Sequence, residues 1–100
     1  MTALNGLLVV ELCGERGQYM GKLMGDMGAR VVKLEPLQGS PERNIGPFKD
    51  DKPDPNSSLY FWARNTSKES LTVDLESPQG IALVKKLLKK ADVFLEDRKP

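Results

Sequence analysis

The chain has 100 residues, and its 15 basic and 14 acidic side chains give a formal net charge of +1 at pH 7. This near balance argues against a nucleic-acid partner and against attraction to a membrane surface. The sequence contains no histidine, which excludes Ser-His and Cys-His nucleophile pairs and histidine metal sites, and we predict no bound metal. A single cysteine, Cys13, is typical of a reducing compartment, and the apolar run at residues 7–10 is too short for a signal peptide or a membrane span. These features predict one small cytoplasmic domain.

The first half of the chain predicts a strand, a helix and a second strand. "LLVVEL" (7–12) is apolar almost throughout, as expected of a strand buried on both faces of a parallel sheet. Between residues 18 and 27 the apolar side chains recur at helical spacing, and Gly28 stands where a helix needs a left-handed cap. "RVVKLE" (30–35) is the second predicted strand. Residues 36–58 hold five of the seven prolines and predict a long irregular loop, which in a compact domain is usually functional.

The second half predicts two further strands and a helix. "SSLYFWARN" (57–65) is interpreted as a short helix or turn, and the alternation in "SLTVDL" (70–75) predicts a third strand. "SPQGIALVKKLLKKA" (77–91) opens with a serine cap and a proline at the first helical position, and "DVFLE" (92–96) is the fourth strand. This order predicts an α/β fold, a Rossmann-like parallel sheet with flanking helices. Because a helix should follow the fourth strand, we expect the amino-terminal part of a larger enzyme domain.

Sheets of this kind bind ligands at the carboxyl ends of their strands. In this chain those ends fall at Leu12 to Gly14, Glu35 and Pro36, Leu75 and Glu76, and Glu96 and Asp97. An acidic residue at the end of the second strand binds the ribose of NAD in dinucleotide-binding folds, but the glycines at 14, 17 and 21 do not match G-x-G-x-x-G. We therefore interpret Glu35 as a solvated or capping residue, and Gly17 and Gly21 as a tight turn and a close packing position. Cys13 is interpreted as a small apolar filler.

Three successive segments carry a more specific signal. They are "LNGLLVVEL", "GKLMGDMGARVVKLEPLQGSPERNIGPF" and "SLYFWARNTSKESLTVDLESPQGIALVKKLLKKADVFLED". In this order they resemble the opening of the class III CoA-transferases, a family that includes formyl-CoA transferase, carnitine CoA-transferase-like and bile-acid-inducible proteins, and α-methylacyl-CoA racemase. The resemblance covers nearly the whole chain. It implies that residues 1–100 are part of a Rossmann-like domain that holds coenzyme A rather than NAD, with the catalytic remainder expected outside this chain.

The resemblance also implies which residues contact coenzyme A. Similar proteins use the loop after the first strand, the stretch around the end of the third strand and the segment after the fourth. The corresponding residues here are Gly14, Glu15, Arg16, Val73, Asp74, Leu75, Glu76, Asp97, Arg98 and Lys99. The proline-rich loop and the segment after it would line the acyl end, with Ile45 and Tyr60 as candidate substrate-pocket residues. Phe61 and Trp62 are interpreted as core aromatics.

Several positions depart from the family's pattern. The lysine common after "LDL" is Glu76, and the arginine of "NKRS" is Glu69. The "ENF" that ends the fourth strand in relatives reads Glu96-Asp97-Arg98, so an amide and an aromatic ring are replaced by a charged pair. These changes remove or reverse positive or neutral contacts, and we expect adenine and phosphate recognition to differ in detail from that of relatives.

The resemblance implies an enzyme that moves CoA between an acyl-CoA and a carboxylic acid acceptor through an aspartyl-CoA thioester. Its partners would be these two substrates and, as an interlocked homodimer, a second copy of itself. The nucleophilic aspartate of relatives lies beyond residue 100, so no catalytic residue is assigned in this chain, and the chain alone is expected to be inactive. Two alternatives stay open, an acyl-CoA racemase or isomerase of the same family and a non-catalytic α/β binding module.

Overall fold

A computed structural model of the protein describes residues 3–97. The helices and strands are β1 Leu8–Leu12, α1 Gln18–Asp26, β2 Arg30–Glu35, α2 Leu59–Asn65, β3 Lys68–Thr72, α3 Pro78–Lys90 and β4 Val93–Glu96. Two short 3₁₀ helices, Pro41–Asn44 and Lys49–Asp51, lie in the proline-rich loop. Within residues 3–97 no helix has both the length and the apolar character needed to cross a bilayer. Two predicted site residues, Arg98 and Lys99, lie outside the described residues.

The strands form one parallel four-stranded sheet in the order β3-β2-β1-β4. β1 lies between β2 and β4, and its register places Leu8 opposite Arg30 and Glu11 opposite Lys33 on β2. This strand order is that of Rossmann-like sheets, so the predicted fold class is confirmed. Because all strands run in the same direction, their carboxyl ends lie along one edge of the sheet.

One face of the sheet carries a continuous apolar core layer. Its buried residues are Val10, Val32, Leu34 and Val73. The apolar side of α3 covers them with Val84, Leu87, Leu88 and Ala91. Since successive strand residues point to opposite faces, the apolar run of β1 and β2 supplies this layer with every second residue. The periodicity of α3 in the sequence is therefore explained by burial against the sheet.

The other face, beneath α1 and α2, changes character along the strands. Its amino-terminal half is apolar, with buried Val9, Ala29 and Val31. Two residues further along, the same face carries Glu11 and Lys33, and both side chains are fully buried. This face therefore combines an apolar layer with a buried charged one, whereas the charged pair on the first face, Arg30 and Glu69, is exposed.

α1 lies close to the sheet because Gly21, which has no side chain, is the helix residue that faces Glu11. A Cβ atom added at Gly21 would overlap Glu11 Oε1, which confirms that Gly21 is a close packing position. The helix ends as predicted, since Gly28 has a φ of 106°, a conformation that favours glycine. Glycine is thus required at both positions, once for contact and once for backbone geometry.

β3 differs from the predicted third strand. It spans Lys68–Thr72 rather than residues 70–75, because the chain turns before the alternation of apolar residues ends. Asp74 Oδ1 accepts a hydrogen bond from the Glu76 N–H at 2.9 Å, which closes a turn that leads into α3. Residues 73–76 are therefore a turn at the carboxyl edge instead of the end of a strand.

Residues 57–65, predicted as a helix or turn, contain the short helix α2. Its first turn is capped by the Ser58 hydroxyl, which accepts a hydrogen bond from the Phe61 N–H at 3.0 Å. The same hydroxyl donates to the Ile45 carbonyl at 2.6 Å. One side chain thereby starts α2 and ties it to the proline-rich loop.

Candidate functional site

Two adjoining grooves run along the carboxyl edge of the sheet. Both are lined by Leu12, at the end of β1, and by Pro36, directly after β2, so they meet at these two residues. The first groove has a volume of about 410 Å³ and the second about 280 Å³. Their position is the one in which doubly wound sheets bind ligands.

The first groove brings together residues that the sequence analysis placed at the end of the third strand. Besides Leu12 and Pro36, it is lined by Leu37, Gln38, Val73, Asp74, Leu75 and Glu76. The turn that carries Asp74 is held against α3, because the Ser77 N–H donates to the Asp74 carbonyl at 3.3 Å and the Ser77 hydroxyl caps the helix. The groove thus combines apolar side chains with a few polar groups on a fixed turn, as small-molecule sites do.

The second groove lies beside Gly14 and Asp97 and contains a buried carboxyl group. Glu42, from the first 3₁₀ helix, is 7% exposed, and burial raises the pKa of its carboxyl. Burial, followed by the nearby Glu11 and Asp97 carboxylates, raises the pKa of the Cys13 thiol to about 12. At neutral pH this thiol is protonated, which agrees with Cys13 as a filler and not a nucleophile.

The loop between β1 and α1 is held by Asp97, the residue after β4. Gly14 N–H donates to the two Asp97 oxygens at 3.0 and 3.1 Å, and Gly17 N–H donates to Oδ2 at 2.7 Å. The Glu15 and Arg16 side chains of this loop are exposed. The structure therefore brings Gly14 and Asp97 into direct contact, while Glu15 and Arg16 point away from the core.

Glu35 is neither solvated nor a simple cap, so that interpretation was wrong. Its side chain is 2% exposed and forms an ion pair with Arg43, whose guanidinium donates to the two carboxylate oxygens at 2.6 and 2.7 Å. The Ser40 N–H at 2.9 Å and a short hydrogen bond from the Ser70 hydroxyl complete its partners. Glu35 therefore anchors the proline-rich loop to the sheet, and these bonds leave both oxygens engaged instead of open to a ribose.

The Glu35 anchor predicts a loss of stability in acid. Burial alone would raise the pKa of Glu35, but hydrogen bonds from Arg43, Ser70 and the Ser40 amide outweigh it and lower the pKa from 4.5 to about 2. Because the pKa is lower in the folded protein, the ionised carboxylate stabilises the fold at pH values above 4.5. This stabilisation is lost as the pH falls from 4.5 towards 2. Near neutral pH, Glu35→Gln should lower the free energy of unfolding by about 2 to 3 kcal/mol.

Urea denaturation of the full-length protein at a series of pH values checks this. The difference in the free energy of unfolding between wild type and Glu35→Gln should become smaller as the pH falls from 4.5 towards 2. The control variant Glu15→Gln, which changes an exposed carboxylate, should show no such dependence on pH. A gap that stays constant with pH would contradict the role given to the ionised carboxylate.

Glu11, Lys33 and Lys68 form a buried charged cluster that the sequence patterns did not predict. Glu11 Oε2 lies 2.9 Å from Lys33 Nζ, and Glu11 Oε1 lies 2.6 Å from Lys68 Nζ. All three side chains are at most 2% exposed. Lys68 also donates to the Gln18 carbonyl at 2.7 Å and to Asn65 Oδ1 at 2.6 Å. The sequence feature that could have indicated this cluster is the single charged residue within each of two apolar strands, Glu11 in β1 and Lys33 in β2.

This charged cluster reaches the second groove through Lys33. Its ammonium group donates to the Cys13 carbonyl at 2.8 Å, directly before Gly14. On the other side, Asn65 of α2 donates to Gln18 Oε1 at 2.8 Å. The cluster therefore connects β1, β2, β3, α1 and α2 and fixes the start of the loop that carries Gly14.

The candidate acyl-pocket residues do not line either groove. Ile45 and Tyr60 are half-buried, and neither lines the first or the second groove. The Arg64 guanidinium stacks on the Tyr60 ring at 4.0 Å from its centre. Phe61 is buried as expected, but Trp62 is 40% exposed, so its interpretation as a core residue was wrong. α2 has one buried face only, and Trp62 lies on the other.

A third groove, about 450 Å³ in volume, runs along α3 and away from the carboxyl edge. Leucines and lysines line it, at Leu71, Leu83, Leu87, Lys86, Lys89 and Lys90. It offers no carboxylate or amide side chain that could orient a ligand, so the carboxyl-edge grooves are the better candidate. Within residues 3–97 no group of three or more metal-ligating side chains is close enough to hold an ion.

A model of CoA-transferase family III matches residues 4–100. The chain belongs to this family. Succinate–glutarate CoA-transferase of Agrobacterium fabrum is 40% identical over 100 residues, which cover 96% of this chain and 25% of that protein. (R)-2-hydroxy-4-methylpentanoate CoA-transferase of Clostridioides difficile is 34% identical over 94 residues, covering 92% of this chain and 23% of that protein.

A solved structure agrees with the family III assignment. A CAIB/BAIF family protein from Brucella suis superposes with a TM-score of 0.86 at 37% identity, covering 98% of this chain and 26% of that one. The chain thus spans about a quarter of the length of the relatives it matches. The fold described above is therefore the fold of the corresponding quarter of a family III protein.

Proposed function

We propose that this chain provides the CoA-binding surface of an enzyme that transfers CoA between an acyl-CoA and a carboxylic acid acceptor. The observation that carries the proposal is the pair of grooves along the carboxyl edge, in a chain that belongs to CoA-transferase family III. The names of the two relatives from Agrobacterium fabrum and Clostridioides difficile, both CoA-transferases named for organic acids, support the class of reaction.

The first groove suits the adenosine end of CoA. Leu12, Pro36 and Val73 provide apolar surface for a planar base, and Asp74 and Glu76 add carboxylates. Carboxylates repel phosphate groups but accept hydrogen bonds from the amino group of adenine and from ribose hydroxyls. We therefore assign adenine and ribose, not phosphate, to the turn at residues 73–76.

The β1–α1 loop suits the phosphates and the start of the pantetheine arm. Arg16 carries an exposed positive charge on this loop, and Glu15 beside it is a second candidate contact. Gly14 keeps the second groove open, because a Cβ atom there would lie 3.3 Å from Glu42 Oε2. Asp97 borders the same groove, and Arg98 and Lys99, outside the described residues, complete the proposed set.

The chemistry requires a nucleophile from outside this chain. An aspartate carboxylate attacks the thioester carbonyl of the acyl-CoA, which forms a mixed anhydride and releases the CoA thiolate. The thiolate attacks the aspartyl carbonyl, the donor acid leaves, and an aspartyl-CoA thioester remains until the acceptor acid takes CoA by the reverse steps. We expect Ile45 and Tyr60 near the acyl group, and an interlocked homodimer as the active form.

A calorimetric titration of the full-length protein with CoA tests the assignment of the first groove. Leu37 lines that groove and is 67% exposed, so Leu37→Asp adds a negative charge there without disturbing the core. Because CoA is an anion, the variant should bind it about tenfold more weakly. The matched control is Leu83→Asp, which adds the same charge in the groove along α3.

The CoA affinities of the two variants together test whether CoA binds at the carboxyl edge. CoA affinity that falls for Leu37→Asp and stays at the wild-type value for Leu83→Asp supports the carboxyl-edge site. Equal affinities in both variants would contradict the placement of adenosine. A wild-type protein that does not bind CoA at all would contradict the proposed function itself.

A further inference from the structure

The Asp97 carboxylate occupies a cradle of backbone N–H groups. Gly14 and Gly17 donate to it at 2.7 to 3.1 Å, and the Arg16 backbone N–H is a further donor. β1 and β4 are neighbours in the sheet, so a residue after β4 reaches the loop after β1 although some 80 residues separate them in sequence. The carboxylate thus fixes this loop from the adjacent strand.

The same N–H groups stand at the start of α1, where a helix favours negative charge. In Rossmann-like folds a ligand pyrophosphate takes this position. Here an internal carboxylate takes it and stays ionised. Burial alone would raise the pKa of Asp97, but the hydrogen bonds from the Gly14, Gly17 and Arg16 amides lower it overall.

The cradle is also closely packed around the carboxylate. A Cβ atom added at Gly17 would lie 2.7 Å from Cys13 Sγ and 3.3 Å from Asp97 Cβ. A phosphate group, which is larger than a carboxylate, could reach these amides only if the Asp97 side chain left. The position is therefore already filled by the protein.

We propose that Asp97 is a positioning residue that also sets specificity, because its carboxylate holds the β1–α1 loop and excludes ligand phosphates from the amides at the start of α1. In one respect the inference rests on the proposed function: the CoA phosphates then contact the Arg16 side chain and not these amides. A dinucleotide whose pyrophosphate needs this position is rejected by an unfavourable carboxylate–phosphate contact.

The test uses full-length protein labelled with ¹⁵N-glycine, with inorganic pyrophosphate as the probe. In wild type, the Gly14 and Gly17 amide signals should shift as acid protonates Asp97, and pyrophosphate near neutral pH should leave them unchanged. In Asp97→Ala, pyrophosphate should shift both signals, with an affinity about tenfold or more above wild type. In Asp97→Asn, whose side-chain oxygen still fills the position, it should shift neither.

The matched control is Asp92→Ala, which removes the same charge from the opposite end of β4. Asp92 Oδ2 accepts a hydrogen bond from the Leu8 N–H at 2.8 Å, away from α1. In this variant pyrophosphate should leave the two glycine signals unchanged. If Asp97 had only a structural role, replacing it with alanine would not make the Gly14 and Gly17 signals respond to pyrophosphate.

Two results overturn the proposal. One is a pyrophosphate-dependent shift of the Gly14 and Gly17 amides in wild type, and the other is a folded Asp97→Ala protein that does not respond. If Asp97→Ala does not fold, the acid titration of the wild-type protein replaces it as the test. The proposal is then overturned if the Gly14 and Gly17 amide signals do not shift with a midpoint below the ordinary pKa range of aspartate. None of these readouts involves CoA, so a failure of the proposed function is a separate result.

Discussion

Glu11→Gln is expected to lower the free energy of unfolding by about 3 to 5 kcal/mol, the range for breaking a buried ion pair from one side. The substitution keeps the shape of the side chain but removes the only negative charge paired with Lys33 and Lys68 among the described residues. Burial already lowers the pKa of Lys68. Without the carboxylate, two buried ammonium groups would lose the carboxylate that lies between them.

Denaturation of the full-length protein in urea near neutral pH measures this effect. The control is Glu69→Gln, which breaks the ion pair between Arg30 and Glu69 across β2 and β3. Both of its side chains are more than half exposed, so little change is expected. Equal destabilisation by Glu11→Gln and Glu69→Gln would contradict the importance of burial.

Gly80→Ala is expected to destabilise the protein by about 1 to 3 kcal/mol, as overpacking does. In an ordinary helix the same change is favourable by up to about 1 kcal/mol, so the sign of the effect is itself diagnostic. At Gly80 the new Cβ would overlap the carbonyl oxygen of Asp74, which belongs to rigid backbone. The turn at residues 73–76 would have to move away from α3.

Because that turn lines the first groove, Gly80→Ala should also weaken CoA binding if the proposed function is correct. Urea denaturation measures the first effect, and calorimetry with CoA the second. Gln79→Ala, at the exposed neighbouring position of α3, should leave both quantities near wild type or raise stability slightly. A more stable Gly80→Ala protein would contradict the close approach of the turn to α3.

The order of elements could be predicted because each depends on short-range chemistry. α3 begins at a serine cap followed by proline, and Gly28 ends the region of α1, so local residues fix both boundaries. The end of β3 could not be predicted in this way. Val73 and Leu75 continue the alternation of a strand, but the turn is made by a hydrogen bond between the Asp74 side chain and a backbone amide.

Only those residues of the candidate site whose position follows from the parallel order of the strands could be predicted from the sequence. Parallel strands place residues 73–76 and Gly14 at one edge, and the grooves are found there. The role of Glu35 depends on Arg43, which reaches it only through the path of the proline-rich loop. The contact of Asp97 with Gly17 likewise depends on β4 lying next to β1. Neither pairing follows from spacing in the sequence.

The Glu11–Lys33–Lys68 cluster has a consequence for how the sequence can change over generations. A single apolar substitution at Glu11 leaves two buried ammonium groups without their carboxylate, whereas one at Lys33 or Lys68 leaves a balanced pair with Glu11. Three simultaneous apolar replacements of similar volume could be neutral or even favourable, but no series of single steps leads there without an unstable intermediate. Substitutions at the three positions therefore depend on one another, although the residues lie on three different strands.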